Sequence, residues 1–142
     1  MSDSTITEQD IATVFPKVVE TMADALDVSA ASIKLDSSLI KDLYAESIDF
    51  LDIVFRLERV FKVKIPRGKI IEEARGPLSE AEFESGGVLT NAGMERLKAF
   101  LNEVPADRFP NPLKVSDISQ LFTVETFCKM VVRQQKAAAS KV

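Results

Sequence analysis

The sequence predicts an all-α fold, a four-helix-type bundle with short accessory helices. Three observations carry this. Apolar residues recur at helical spacing in four separated segments, near residues 11–26, 50–61, 94–104 and 124–132. Clear helix-start signals stand at Ser79 and Thr123. No convincing run of alternating apolar and polar residues marks a strand.

In chain order, residues 1–6 read as a tail, and Thr7 followed by Asp10 is an approximate helix start. Ile11, Val14, Phe15, Val18, Val19, Met22, Ala25 and Leu26 share one helical face. Pro16 interrupts it. Either the helix begins near Thr13, with proline in the tolerated first turn, or a longer helix bends there. The register of Ile11 favours the longer one. From Asp27 to Glu46 the chain reads as a packed loop anchored by Val28, Ile33, Leu35, Leu39, Ile40 and Leu43, with single helical turns starting at Ser29 and Asp36.

The second helix runs from Ser47 to Phe61. At about 100° per residue, Phe50, Ile53, Val54, Leu57 and Phe61 face the core. Asp49, Asp52, Arg56 and Arg59 form a narrow polar stripe, and Ile48, Leu51 and Phe55 a second apolar flank. An ordinary surface helix shows a wider polar face, so that flank must meet another segment, a partner or a ligand. Acids early, arginines late and the Asp52–Arg56 spacing suit the helix dipole and pair at i,i+4.

Val63–Pro66 closes the helix as a short extended stretch. Beyond it, Ser79-Glu-Ala-Glu82 fits a capping box for a short helix that Gly86-Gly87 ends. Thr90 or Asn91 starts a helix carrying Met94, Leu97, Phe100, Leu101 and Val104. Pro105, Pro110 and Pro112 then break the chain into a loop. The last helix starts at Thr123, with Phe122 and Phe127 placed as a hydrophobic staple, and its polar tail from Gln134 reads as frayed.

Composition narrows the chemistry. A length of 142 residues, 46% hydrophobic and 28% charged, fits one globular domain able to bury a core without staples. A formal charge of −4 speaks against nucleic acid as a partner. The first ten residues carry neither a basic start nor an apolar core of a signal, and no run is long enough for a membrane span. The expectation is a cytoplasmic protein without membrane insertion. One cysteine rules out an intrachain disulfide and a cysteine-rich zinc site, and no metal site is expected. The absence of histidine removes Ser-His-Asp, Cys-His and His-metal chemistry. Any reactive group is then foreign to these side chains, and the expectation is that the protein is not an enzyme.

The stretch Asp42-Leu-Tyr-Ala-Glu-Ser-Ile-Asp49 resembles the Asp-Leu-Gly-Ala-Asp-Ser-Leu-Asp core of acyl carrier proteins. Asp42, Leu43, Ala45, Ser47 and Asp49 match. The apolar helix to Phe61, the Ile65-Pro66 stop and the block Ile118–Phe127 also look like that family, and the order of blocks makes the match specific. The resemblance implies an acyl-carrier-like four-helix bundle with an additional helical insertion, residues 67–114, between helix two and the C-terminal helix of a single domain 1–142. It implies that Ser47 receives 4′-phosphopantetheine from coenzyme A through a phosphopantetheinyl transferase. The arm then holds an acyl chain as a thioester and presents it to acyl synthases and acyltransferases of fatty acid or lipid synthesis.

Departures from the family pattern are Tyr44 for glycine, Glu46 for aspartate, Ile48 for leucine, and Arg56 and Arg59 on a helix that is usually acidic. The segment beginning Leu89-Thr-Asn-Ala-Gly93 looks like the enlarged part of specialised bacterial carriers that hold very-long-chain acyl groups for lipid A assembly.

Each residue also has a plainer role. Ser47 could be an N-cap alone. Ile48, Leu51 and Phe55 could line an acyl pocket or dock partner enzymes; core packing competes, and for Leu51 it is the stronger reading. Glu46, Asp49 and Asp52 could form an acidic docking surface or simply serve the helix dipole. Met94, Leu97, Phe100 and Leu101 could cover a long acyl chain or form a small core of their own. Cys128 reads as a buried structural thiol. The rival functions are an unmodified helical scaffold module of the same fold, and a small carboxylate-using enzyme for which no catalytic constellation is visible.

Overall fold

The computed structural model describes residues 6–65 and 69–140. They divide into two compact units, Met1–Ile65 with Thr123–Val142, and Pro66–Phe122.

The first unit holds three long helices. α1 spans Glu8–Leu26, and the longer of the two readings is the one observed, with Pro16 inside it. Proline there leaves the Ala12 carbonyl without its helical N–H donor. The Thr7 hydroxyl accepts from the Asp10 N–H and the Asp10 carboxylate accepts from the Thr7 N–H, at 3.1 and 3.0 Å, a closed capping box. Ile11, Val14, Val18, Val19 and Met22 are buried, whereas Phe15, Ala25 and Leu26 are half-buried.

The loop to Glu46 is packed as expected, burying Ile33, Leu39, Leu43 and Ala45. Ser29 caps a 3-10 turn over Ala30–Ser32. The turn expected at Asp36 is instead at Ser38, whose carbonyl accepts from the N–H groups of Asp42 and Leu43 at 2.9 and 3.1 Å. The reason is Ser38 itself, whose hydroxyl accepts from the Lys41 N–H at 3.1 Å as a cap does, while the Asp42 carboxylate accepts from the Ser38 N–H at 2.7 Å. The same loop is tied to the C-terminal segment. Ser38 bridges Thr123, and the N–H groups of Val124 and Glu125 donate to the carbonyls of Ser37 and Leu35 at 3.1 and 2.9 Å.

α2 spans Ser47–Phe61. Its Ile53, Val54 and Leu57 are buried, and Phe50 meets Phe127 edge-on at 5.9 Å. Lys62 ends the helix in the left-handed conformation, φ 56°, and the Glu58 carboxylate accepts from the Ile65 N–H at 2.7 Å, fixing the stretch that leaves the helix.

The C-terminal helix spans Val124–Ser140; it is numbered α6 below, after the three helices of the second unit. Thr123 caps it as expected, its hydroxyl accepting from the Thr126 N–H at 3.3 Å. The tail expected to fray stays helical to Ser140, and Lys136 Nζ lies 3.3 Å from the Asp10 carboxylate, anchoring it. α1 packs against both α2 and α6.

The second unit contains α3 (Lys69–Arg75), α4 (Glu80–Phe83), β1 (Glu84–Ser85), β2 (Val88–Leu89) and α5 (Asn91–Phe100). α3 was not legible in the sequence. The Ser79–Glu82 capping box opens α4 as expected. Gly86 and Gly87, expected to end that helix, instead turn a hairpin that pairs Glu84 with Leu89 and Ser85 with Val88. Both glycines have positive φ, 61° and 84°, which a two-residue hairpin turn demands. Thr90 caps α5, which starts at Asn91 and stops at Phe100, short of Val104. α3 and α4 pack against α5, and Phe83, Leu97, Leu101, Val104 and Leu113 are buried. Apart from this small hairpin the architecture is the predicted all-α one.

Candidate functional site

The first turn of α2 is set by its neighbours. Ala45 is buried and its N–H donates to the Leu39 carbonyl at 2.8 Å, so the approach to the helix is pinned by the packed loop. Glu46 then takes the extended backbone of an N-cap. The Asp49 carboxylate accepts from the Glu46 N–H at 2.8 Å, and the Glu46 carbonyl accepts from Asp49 and Phe50. Ser47 is therefore the first helical residue and not the cap, which overturns the reading of this serine as a capping residue.

Three positions before Ser47, Tyr44 has φ 59° and is 82% exposed. The left-handed region is unfavourable for a bulky side chain, which is the physical reason for a glycine at such a place.

The apolar flank is in the open. Ile48 is 72% exposed, Phe55 44% and Leu51 37%. Core packing for Leu51 is thus corrected: it turns about 100° or more away from the Ile53–Leu57 stripe. Beside them, Arg56 Nε donates to both Asp52 oxygens at 3.1 Å. Both side chains are partly exposed, so this pair contributes only about 0.3–0.5 kcal/mol.

At the other end of α2 lies a feature the sequence reading missed, an open pocket of about 560 Å³. Phe55, Glu58, Arg59, Lys62, Val63 and Lys64 line it together with Gln134 and Ala137 of α6. Its sequence signal was the cluster Arg59, Lys62 and Lys64. The charge of α2 and its flanks is therefore ordered: three acids and no base over residues 46–52, four bases and one acid over 56–64.

Of the remaining candidates, Met94 and Phe100 are half-buried and the others are buried. Leu97 and Leu101 are fully buried in the second unit, as a small core requires. Cys128 is buried, and burial, followed by the nearby Glu125 charge, pushes its thiol up to about 12, leaving it un-ionised at neutral pH. Among the described residues, no three acidic or cysteine side chains converge as a metal site requires, and no helix is long and apolar enough to cross a membrane.

Comparison with known proteins adds to this geometry. A family model described as a phosphopantetheine attachment site matches residues 16–76. The chain is 39% identical over 88 residues to the acyl carrier protein AcpXL of Rhizobium etli, covering 60% of this chain and 92% of that one. It is 35% identical over 74 residues to AcpXL of Rhizobium meliloti, covering 51% and 78%. With an acyl carrier protein of Clostridium acetobutylicum it shares 42% over 53 residues, covering 37% and 69%. No solved structure matches it significantly.

Proposed function

Because the chain belongs to the acyl carrier protein family, it is a phosphopantetheine-bearing carrier and not an enzyme, and we propose that Ser47 is the residue that bears the group. One observation supports this most. Ser47 opens α2 directly after a cap that Glu46 and Asp49 provide without it, so the serine is not required for capping.

The residues present fit the group. A helix leaves its first N–H groups without helical acceptors. Those of Asp49 and Phe50 already donate to the Glu46 carbonyl, so a phosphate at residue 47 would draw on the N–H groups of the first helical residues. Glu46 and Asp49 add negative charge beside it, which turns a phosphate away from the helix and towards solvent. When attached, the arm supplies a thiol that holds an acyl group as a thioester. The chain's own part is to present it: Ile48, Leu51 and Phe55 offer an exposed apolar flank, and Glu46, Asp49 and Asp52 an acidic border, to a phosphopantetheinyl transferase and to acyl synthases and acyltransferases.

The finer reading is a cytoplasmic carrier for very-long-chain acyl groups in lipid synthesis, lipid A included, with residues 67–114 as an insertion into the carrier body. The relatives of the AcpXL type and the Gly93-containing start of α5 support it. The test is intact-mass analysis after incubation with coenzyme A and a transferase. Addition of one phosphopantetheinyl group to the native chain, and none to Ser47→Ala, is expected. An unmodified native chain, or a modified Ser47→Ala, would overturn the assignment and favour the scaffold reading. Mass analysis of natively expressed protein then reads the cargo.

A further inference from the structure

We infer that Tyr44 is the side chain by which a phosphopantetheinyl transferase distinguishes this carrier from those with glycine at this place. The contact is made by the aromatic ring, outside α2. The inference rests on the reading of Ser47 as the residue that bears the arm.

Tyr44 combines two features that the free protein does not account for. Among the described residues it is one of three non-glycine residues with positive φ, the others being Asp27 and Lys62. Those two are the C-caps of α1 and α2, where a left-handed residue ends a helix. At Tyr44 the conformation accompanies the bond from the Ala45 N–H to the Leu39 carbonyl, which glycine would allow without strain. A bulky residue persists in a strained conformation where packing or function requires it. Packing does not: the side chain is 82% exposed, the highest value among the large hydrophobic side chains described. Glycine would serve the turn better. What glycine lacks is the ring.

Its place fits one partner. Three residues of chain separate positions 44 and 47 by at most about 11 Å. A standard interface covers about 800 Å² of each partner, a disc of roughly 16 Å radius. An enzyme that acts on residue 47 must bring its reacting atoms within about 3–3.5 Å of it, so its footprint covers Tyr44. Enzymes that act on the thiol work at the other end of the arm and carry no such requirement. Ile48, 72% exposed, follows Ser47, so the two most exposed large hydrophobic side chains described lie on either side of the serine in the chain. Over residues 41–49 three acids outnumber one base. The receiving surface is therefore a cleft of apolar and cationic side chains, where a guanidinium or ammonium group meets the face of the ring.

Steady-state loading kinetics test this on the full chain, with saturating coenzyme A, a transferase that loads the native protein, and transfer read by intact mass. The native chain is compared with Tyr44→Phe, Tyr44→Ala and Tyr44→Gly, and circular dichroism verifies that each folds. Tyr44→Ala and Tyr44→Gly should raise the KM for the carrier about 5- to 30-fold and leave kcat within about twofold, as loss of one aromatic anchor does. Tyr44→Phe, which keeps the ring, should stay within about twofold of the native chain. Equal rises in Tyr44→Ala and Tyr44→Gly assign the effect to the ring, because only the second also relieves the backbone. The same factor should appear in the inhibition constant when Ser47→Ala, with and without Tyr44→Gly, competes against the native chain. If the native chain is loaded and Tyr44→Gly is loaded equally well, the inference is overturned while Ser47 stands. A fall confined to kcat, or a Tyr44→Phe as poor as Tyr44→Gly, overturns it too. A native chain that no transferase modifies overturns the reading of Ser47 and this inference with it.

Discussion

Replacing Tyr44 by glycine should stabilise the protein, and the magnitude follows from its backbone. A residue with a Cβ at φ 59° bears a strain of about 1–2 kcal/mol, which glycine does not. Glycine gives back roughly 0.5–1 kcal/mol because its unfolded chain is freer. The tyrosine ring, 82% exposed, contributes little packing that would be lost. The net gain is then about 0.5–1 kcal/mol, or a rise of roughly 2–5 °C in Tm for a chain of this size. Urea titration and thermal melts followed by circular dichroism at 222 nm, where helices absorb strongly, measure it. Tyr44→Ala is the control, since it removes the ring but keeps the strained backbone, and it should be close to neutral. If alanine stabilises as much as glycine, the ring and not the backbone is the source, and the reasoning fails. If glycine destabilises, Tyr44 makes contacts that its exposure does not reveal.

Other outcomes follow from the same structure. Ser47→Ala should shift stability by less than about 0.5 kcal/mol, since Glu46 holds the cap position, whereas Asp49→Ala should cost about 1 kcal/mol in urea titration. Gly93→Ala should destabilise by about 1–3 kcal/mol, because a Cβ there runs into the Phe83 backbone carbonyl; an unchanged urea midpoint would contradict that clash. Cys128, held near 12, should resist aromatic disulfide reagents at pH 8 in the native protein and react on unfolding. Asp10 is held below its ordinary 3.8 by the Thr7 N–H and then by Lys136, so its contribution is present above that pH and lost as pH falls through the lower folded value. Asp10→Asn should therefore flatten the acid loss of stability below about pH 4 in urea midpoints measured against pH.

The long helices were legible because their apolar periodicity and caps agree: Thr7, Thr123 and the Ser47–Phe61 span appear where pattern alone placed them. The hairpin was not, since strands of two residues are too short to alternate, and Gly86-Gly87 serves a helix stop and a positive-φ turn equally well. α3 escaped for a related reason, having fewer than three turns of pattern and no cap signal. At the site, Ser47 and its flank were legible through a local motif. The cap position was not, because Glu46 and Ser47 are both plausible there, and the decision rests on the Glu46–Asp49 hydrogen bond. The pocket was hidden because Gln134 and Ala137 lie some seventy residues from Arg59 in the chain and meet it only once α6 is in place.

The hydrogen bonds joining Ser37, Ser38 and Leu35 to Thr123, Val124 and Glu125 have a temporal meaning as well. The loop that aims α2 borrows its partners from a segment made after the whole of residues 66–122. A ribosome that has released residues 1–65 has therefore made the serine but not the scaffold that positions it. Chains that stall before α6 lack the N–H partners that the Leu35 and Ser37 carbonyls take from Glu125 and Val124.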